Sequence, residues 1–178
     1  MWVMVDGNDA APPGHELLSL YDVALPQVYG YLLRRCGSAP LAEDLTSETF
    51  VAAVDAVCRS TPPELSVAWL IGVARNKLVD HWRRHERSRR IEVQLAESVP
   101  IAADDWEVHL DAVAAHEVLL QLGPHHRGAL VLRYLDGLSV PEVAHQLDRS
   151  VKATEVLLVR ARRAFRTLYE SHAREEER

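Results

Sequence analysis

Apolar residues recur every three or four positions along almost the whole of this 178-residue chain, the period of an α-helix rather than of a strand. In HELLSLYDVALPQVYGYLLRR they fall at Leu17, Leu20, Tyr21, Leu25, Val28 and Leu32. In LAEDLTSETFVAAVDAVC one face collects Leu41, Leu45, Thr49 with Phe50, and Ala53 with Val54. VAWLIGVARNKLVDHWRRHERSRR holds the strictest repeat, with Leu70, Ala74, Leu78 and Trp82 at four-residue steps. No stretch alternates with a two-residue period, and no internal repeat is visible. The expected fold class is all-α.

Breaks in the pattern give the organisation. Pro26 is expected to kink or split the first helix, because its ring removes a backbone donor and crowds the preceding turn. Gly37, Ser38 and Pro40 end that segment, and RSTPPELS separates the second helix from the third. From Ile91 to about Glu107 the periodicity fades in IEVQLAESVPIAADDWE, an acidic stretch with Pro100 that reads as a linker. A second helical set begins near Val108 with VHLDAVAAHEVLLQL, PHHRGALVLRYL, VPEVAHQL and VKATEVLLVRARRAFRTLYE. The expected layout is a disordered N-terminus over 1–14, a helical domain over 15–90, the acidic linker over 91–107 and a second helical domain over 108–178.

Hydrophobic residues make up 48% of the chain, enough for packed cores. No apolar run approaches the roughly 20 residues that span a bilayer, so no membrane insertion is expected. The opening MWVMVDGNDAAPPG lacks the basic and apolar regions of a signal peptide, and Met4 could serve as the start as well as Met1. Cys36 and Cys58 stand far apart without a partner motif, which fits a reducing cytoplasm and argues against a disulfide framework or a zinc site.

The net charge is −6, yet the charge is sorted into blocks. Residues 41–58 hold Glu43, Asp44, Glu48 and Asp55 and no Lys or Arg. Between Arg75 and Arg90, seven bases (Arg75, Lys77, Arg83, Arg84, Arg87, Arg89, Arg90) face only Asp80 and Glu86. Six more bases (Arg149, Lys152, Arg160, Arg162, Arg163, Arg166) face Glu155 alone over residues 149–166. Local patches rather than the total govern nucleic-acid binding, so an acidic sum does not exclude it.

LDGLSVPEVAHQLDRSVKATEVLLVRARRAF is the most specific stretch. Ser139 followed by Glu142 is a capping box, in which each side chain satisfies a backbone donor at a helix start. A short helix to Leu147, a tight turn over Asp148-Arg149-Ser150 and Ser150 as the next N-cap describe a helix-turn-helix. A plain helical hairpin is the bland alternative. The basic second helix favours DNA binding.

The chain as a whole, over about residues 15 to 170, resembles a bacterial sigma factor of the small, two-domain, extracytoplasmic-function type. AEDLTSETFVAA is similar to the helix that docks such factors on the clamp helices of RNA polymerase. That resemblance implies polymerase-binding roles for Asp44, Leu45, Ser47 and Glu48. WLIGVARNKLVDHWRR is similar to the helix that recognises the minus-ten element and melts it. LLQLGPHHRGALVLRYLDGLSVPEVAHQLDRSV followed by RARRA is similar to the domain that reads the minus-thirty-five element. The segments stand in the family's order. The resemblance implies core RNA polymerase and promoter DNA as partners, an anti-sigma factor as a further one, a cytoplasmic location, and no cofactor.

Chemistry supports roles for the individual residues. On the minus-ten helix, Arg75, Lys77, Arg83 and Arg84 can meet phosphates, while Asn76 and Trp82 can meet exposed bases. Asp80 precedes Arg83 and Arg84 by three and four residues and can orient either one. Trp82 also completes the stripe of Leu70, Ala74 and Leu78, so core and DNA are both open to it. On the recognition helix, Arg149, Ser150, Lys152, Ala153, Glu155 and Val156 are the minus-thirty-five candidates. Glu155 can accept from cytosine, and Ala153 or Val156 can pack on a thymine methyl. Arg160 and Arg163, with Arg162, come later and are expected on phosphates or polymerase. The family form S-V-G-T-V-K-S-R-L is replaced here by Ser150-Val151-Lys152-Ala153-Thr154-Glu155-Val156-Leu157-Leu158, so Glu155 and Leu157 stand where a Lys and an Arg are usual. Val156, Leu157 and Val159 therefore offer a rival expectation, an apolar surface for a protein partner.

Other chemistries find little footing. His81 and His85 lack the intervening glutamate of H-E-x-x-H, no phosphate-cradling glycine loop occurs, and no G-x-S-x-G is present. No metal and no catalytic residue is expected, so the chain is not read as an enzyme. The alternative function is a stand-alone helix-turn-helix regulator whose N-terminal domain dimerises, and a helical protein-binding adaptor is a third. The acidic face at Glu43, Asp44 and Glu48 discriminates, since a dimer seam should be apolar.

Overall fold

The structure is a computed structural model that describes residues 15–59, 61–90 and 111–176. These residues form helices and turns, with no strand among them. The helices are α1 (His15–Cys36), α2 (Ala39–Val57), α3 (Val67–Arg90), α4 (Ala112–Gln121), α5 (Pro124–Leu130), α6 (Val140–Leu147) and α7 (Val151–Glu176), and a π-helical turn over Val131–Leu135 extends α5. Residues 1–14 and the acidic linker at 91–107 lie outside the described residues.

The chain divides into two compact units. The first comprises residues up to Arg34 and Ser38–Arg75; the second comprises Arg35–Gly37 and Asn76 onward. In the first unit Leu17, Ala24, Val28 and Leu32 of α1, Ala42, Leu45 and Ala53 of α2, and Leu70 and Ala74 of α3 are buried. Helical spacing puts each set on one stripe, and burying that stripe supplies most of a short helix's stability. Two threonines join the core of α2. Thr46 and Thr49 donate to the Ala42 and Leu45 carbonyls at 2.6 and 2.7 Å, which leaves neither of these two hydroxyls unsatisfied. Tyr21 and Phe50 meet edge to face at 4.8 Å.

α1 is not split at Pro26 but continues through it as one helix. Pro26 is exposed, and Ala24 and Val28 on either side of it are wholly buried. Packing of that stripe outweighs the lost donor. The helix ends instead at Gly37, whose φ of 68° lies in the left-handed region that glycine adopts without a Cβ penalty.

In the second unit, Asp111 caps α4 by accepting from the Val113 and Ala114 amides at 2.9 Å each. Pro124 opens α5 in its first turn, where a missing donor costs nothing. Val118, Leu119, Leu130, Val131, Leu132, Val143, Leu147, Leu157, Leu158 and Phe165 make its core, together with Leu78 and Trp82 from the later turns of α3. All four members of the stripe at 70, 74, 78 and 82 are buried. Arg127 stitches the unit by donating to the Cys36 carbonyl at 2.8 Å, the Leu122 carbonyl at 2.9 Å and the Leu120 carbonyl.

Candidate nucleic-acid interface

The helix-turn-helix is built from local chemistry. The Ser139 amide donates to Glu142 Oε2 at 2.7 Å, and the Glu142 amide points back at Ser139 Oγ at 3.4 Å, completing the capping box that starts α6. At its end the Asp148 amide donates to the His145 carbonyl at 3.2 Å and the Arg149 amide to the Ala144 carbonyl at 2.9 Å. With Asp148 at φ 54° this is a Schellman turn with an aspartate at the usual glycine position. Ser150 Oγ then accepts from the Ala153 amide at 3.2 Å and starts α7.

The phase of α7 decides which residues can reach a partner. Thr154, Leu157, Leu158, Ala161 and Phe165 are buried, and Thr154 Oγ1 donates to the Ser150 carbonyl at 3.1 Å. Lys152, Glu155 and Arg163 are exposed on the side away from that stripe, while Ala153, Val156 and Arg160 are half-buried. Leu157, at 4% exposure, belongs to the core. The rival apolar surface of Val156, Leu157 and Val159 therefore loses its largest member, because helical period carries Leu157 inward with Thr154 and Ala161. The exposure pattern leaves Lys152 and Glu155 at the helix start as the side chains with the freest reach.

Two candidates there have neighbours that sequence spacing could not reveal. Arg149 is half-buried, with Nη2 3.4 Å from His125 Nε2. Arg160 lies close enough to His126 that its charge, after burial, helps hold the imidazole below its ordinary value. Ser150 is exposed, but its hydroxyl serves the helix start.

On α3, Asn76, Asp80 and Arg84 are exposed, and Arg75, Lys77 and Arg83 are half-buried. Asp80 Oδ1 approaches Arg83 Nη1 at 3.4 Å, so of its two possible partners the structure pairs it with Arg83. Trp82 is a correction to the DNA-contact list. It is 4% exposed, and a Cβ added at Gly128 would come within 2.8 Å of its Cε3. The indole packs against the bare backbone at Gly128, so of the two roles open to Trp82 the core one is the one observed here. His81 and His85 stack with ring centres 4.4 Å apart, and no group of three or more His, Cys, Asp or Glu able to hold a metal occurs among the described residues.

On α2, Asp44, Ser47 and Glu48 are exposed on one face. Leu45 is the second correction. At 1% exposure it sits in the core and supports that face from beneath rather than meeting a partner. The residues missed by sequence reasoning are Arg127, Gly128, Arg35 and Asp136, whose contacts join positions far apart in the chain and carry no local motif. Arg35 Nη2 and Asp136 Oδ1 form an ion pair at 2.6 Å, with side chains 13% and 2% exposed. No described helix is long and apolar enough to cross a membrane.

The geometry agrees with what the chain resembles. The family model for Sigma-70 region 2 matches residues 20–88, and that for Sigma-70 region 4 matches residues 112–165. The ECF RNA polymerase sigma factor SigM of Bacillus subtilis is 32% identical over 154 residues, covering 84% of this chain and 93% of SigM. The ECF RNA polymerase sigma factor BldN of Streptomyces coelicolor is 32% identical over 164 residues, covering 87% of this chain, which spans 61% of BldN's length. Among solved structures, the sigma factor RpoE from Bartonella quintana, in complex with the anti-sigma factor NepR, shares the fold. Its TM-score is 0.51 at 21% identity, over 87% of this chain and 97% of that one. Two sigma-type regions in order, the second ending in a capped helix-turn-helix, place the chain in one family: it belongs to the bacterial RNA polymerase sigma factors of the extracytoplasmic-function type.

Proposed function

We propose that this chain binds core RNA polymerase and directs it to specific promoters, with no catalytic chemistry of its own. The observation that carries the reading is the ordered pair of sigma regions over 20–88 and 112–165. On this reading the exposed face of Asp44, Ser47 and Glu48 docks on polymerase. Asn76 and Arg84, with Arg75, Lys77 and Arg83, hold the minus-ten region. Lys152 and Glu155 read the minus-thirty-five element, and Arg163 meets phosphate. An anti-sigma factor is a further proposed partner, and the work is done in the cytoplasm, where polymerase and promoter meet.

Co-purification with core polymerase, followed by run-off transcription on genomic fragments, tests the assignment. The expected result is a stable complex that initiates at a small set of fragments. Replacing Asn76 and Arg84 with alanine should spare that complex and reduce strand opening detected by permanganate. A chain that fails to bind core polymerase would overturn the reading.

A further inference from the structure

His125 and His126 stand side by side at the start of α5, directly after the Pro124 that opens it, and the helix-turn-helix motif does not account for them. Both imidazoles are half-buried, with ring centres 5.7 Å apart. α5 packs against α7, and that packing carries His125 to the turn preceding the recognition helix. There its Nε2 lies 3.4 Å from Nη2 of Arg149, 24 residues further along the chain.

The direction of this contact follows from the two groups. A guanidinium carries only N–H donors and no acceptor, so the imidazole nitrogen is the acceptor. His125 is then neutral, with its proton on Nδ1. The backbone of Arg149 is fixed as well. Its amide donates to the Ala144 carbonyl at 2.9 Å, and the hydroxyl of the next residue, Ser150, starts α7. One N–H given to the imidazole does not exhaust the guanidinium fork, and it removes part of the ordering cost that a long side chain carries on binding.

We propose that His125 is a positioning residue for promoter recognition, whose imidazole aims the Arg149 guanidinium at the major groove beside the first turn of α7. The proposal rests on the sigma-factor reading for its DNA, since residues at the start of a recognition helix contact the base edges. Arginine recognises guanine through two N–H donors at once, a contact that fails when the plane of the guanidinium is turned. His125 thus sets specificity at one base position without touching DNA itself.

The experiment assembles core polymerase with full-length chains carrying His125→Leu, His125→Gln, Arg149→Ala, or His125→Leu together with Arg149→Ala. Each complex selects from a duplex library randomised at the minus-thirty-five element. Arg149→Ala should reduce preference at one base position about 10-fold, within the range of a lost arginine–guanine contact. His125→Leu should lose nearly as much at that same position and leave the others unchanged. Glutamine offers an acceptor at similar reach, so His125→Gln should keep the wild-type preference. The double variant should match Arg149→Ala alone, the non-additivity of two residues that act as one. Wild-type preference in His125→Leu, a glutamine variant that behaves like the leucine one, or additive losses in the double variant would overturn the proposal. So would an Arg149→Ala variant that weakens all sequences alike or changes none. The contact is also read without polymerase or DNA. Nitrogen-15 NMR of the full chain should find His125 protonated on Nδ1, and Arg149→Ala should shift it toward the Nε2 form. A wild-type His125 protonated on Nε2 would overturn the positioning role by itself. Failure of the wild-type chain to bind core polymerase would instead sink the proposed function and leave the tautomer result standing.

Discussion

The Arg149 amide donates to the Ala144 carbonyl at 2.9 Å and forces the intervening Asp148 to φ 54°, the left-handed conformation that sets the angle between α6 and α7. An L-residue with a Cβ holds that conformation at a cost of about 1 kcal/mol, which aspartate only partly escapes. Asp148→Gly should therefore raise stability by up to about 1 kcal/mol, and Asp148→Val should lower it by at least as much. Urea melts of the full chain check both, and an unchanged midpoint for the valine variant would contradict the turn geometry.

The recognition helix separates reading from holding. Glu155→Ala should change sequence preference at one base position by about 1–3 kcal/mol, and Lys152→Ala should act at a neighbouring position. Arg163→Ala, two turns further along, should weaken all promoters alike and lessen the salt dependence of binding. Selection from a library randomised at the minus-thirty-five element distinguishes the two behaviours. An identical preferred sequence for wild type and both early-helix variants would remove them from base reading.

On α2, surface and core make opposite predictions within a single helical turn. Reversing the charge of Asp44 and Glu48 should weaken core polymerase binding while leaving the melting curve unchanged, because both carboxylates are exposed. Leu45→Ala should cost about 2–5 kcal/mol of stability, the range for emptying a buried leucine site. If the charge reversal leaves polymerase affinity untouched, the docking face is elsewhere.

His126 gives a pH signature. Burial, and then the Arg160 charge, hold its imidazole below its ordinary value of 6.5. The unfolded chain therefore takes up this proton first as pH falls. The stability His126 contributes is present above pH 6.5 and is lost as pH falls through that value toward the folded one. His126→Gln should flatten the dependence of unfolding free energy on pH between neutrality and mild acid, and Arg160→Gln should flatten it in part. A His126→Gln variant with the wild-type slope would assign that slope to other groups.

Local order was legible in the sequence wherever neighbours a few residues apart decide it. The stripe of Leu70, Ala74, Leu78 and Trp82, the capping box of Ser139 with Glu142, and the Ser150 cap all depend on contacts within one or two turns. The helical fold and the helix-turn-helix followed from them. Tertiary structure alone decided the choices that depend on which side of a helix meets a core. It carried α1 through Pro26, and sent Leu45, Trp82 and Leu157 inward while leaving Asp44, Asn76 and Glu155 outside. It also brought Arg127 to the Cys36 carbonyl and Arg35 to Asp136, partners 91 and 101 residues apart. Periodicity gives a helix its face but not the neighbour that will cover it. A residue at the edge of that face, or a charge whose partner is a hundred positions away, is placed only when the helices pack.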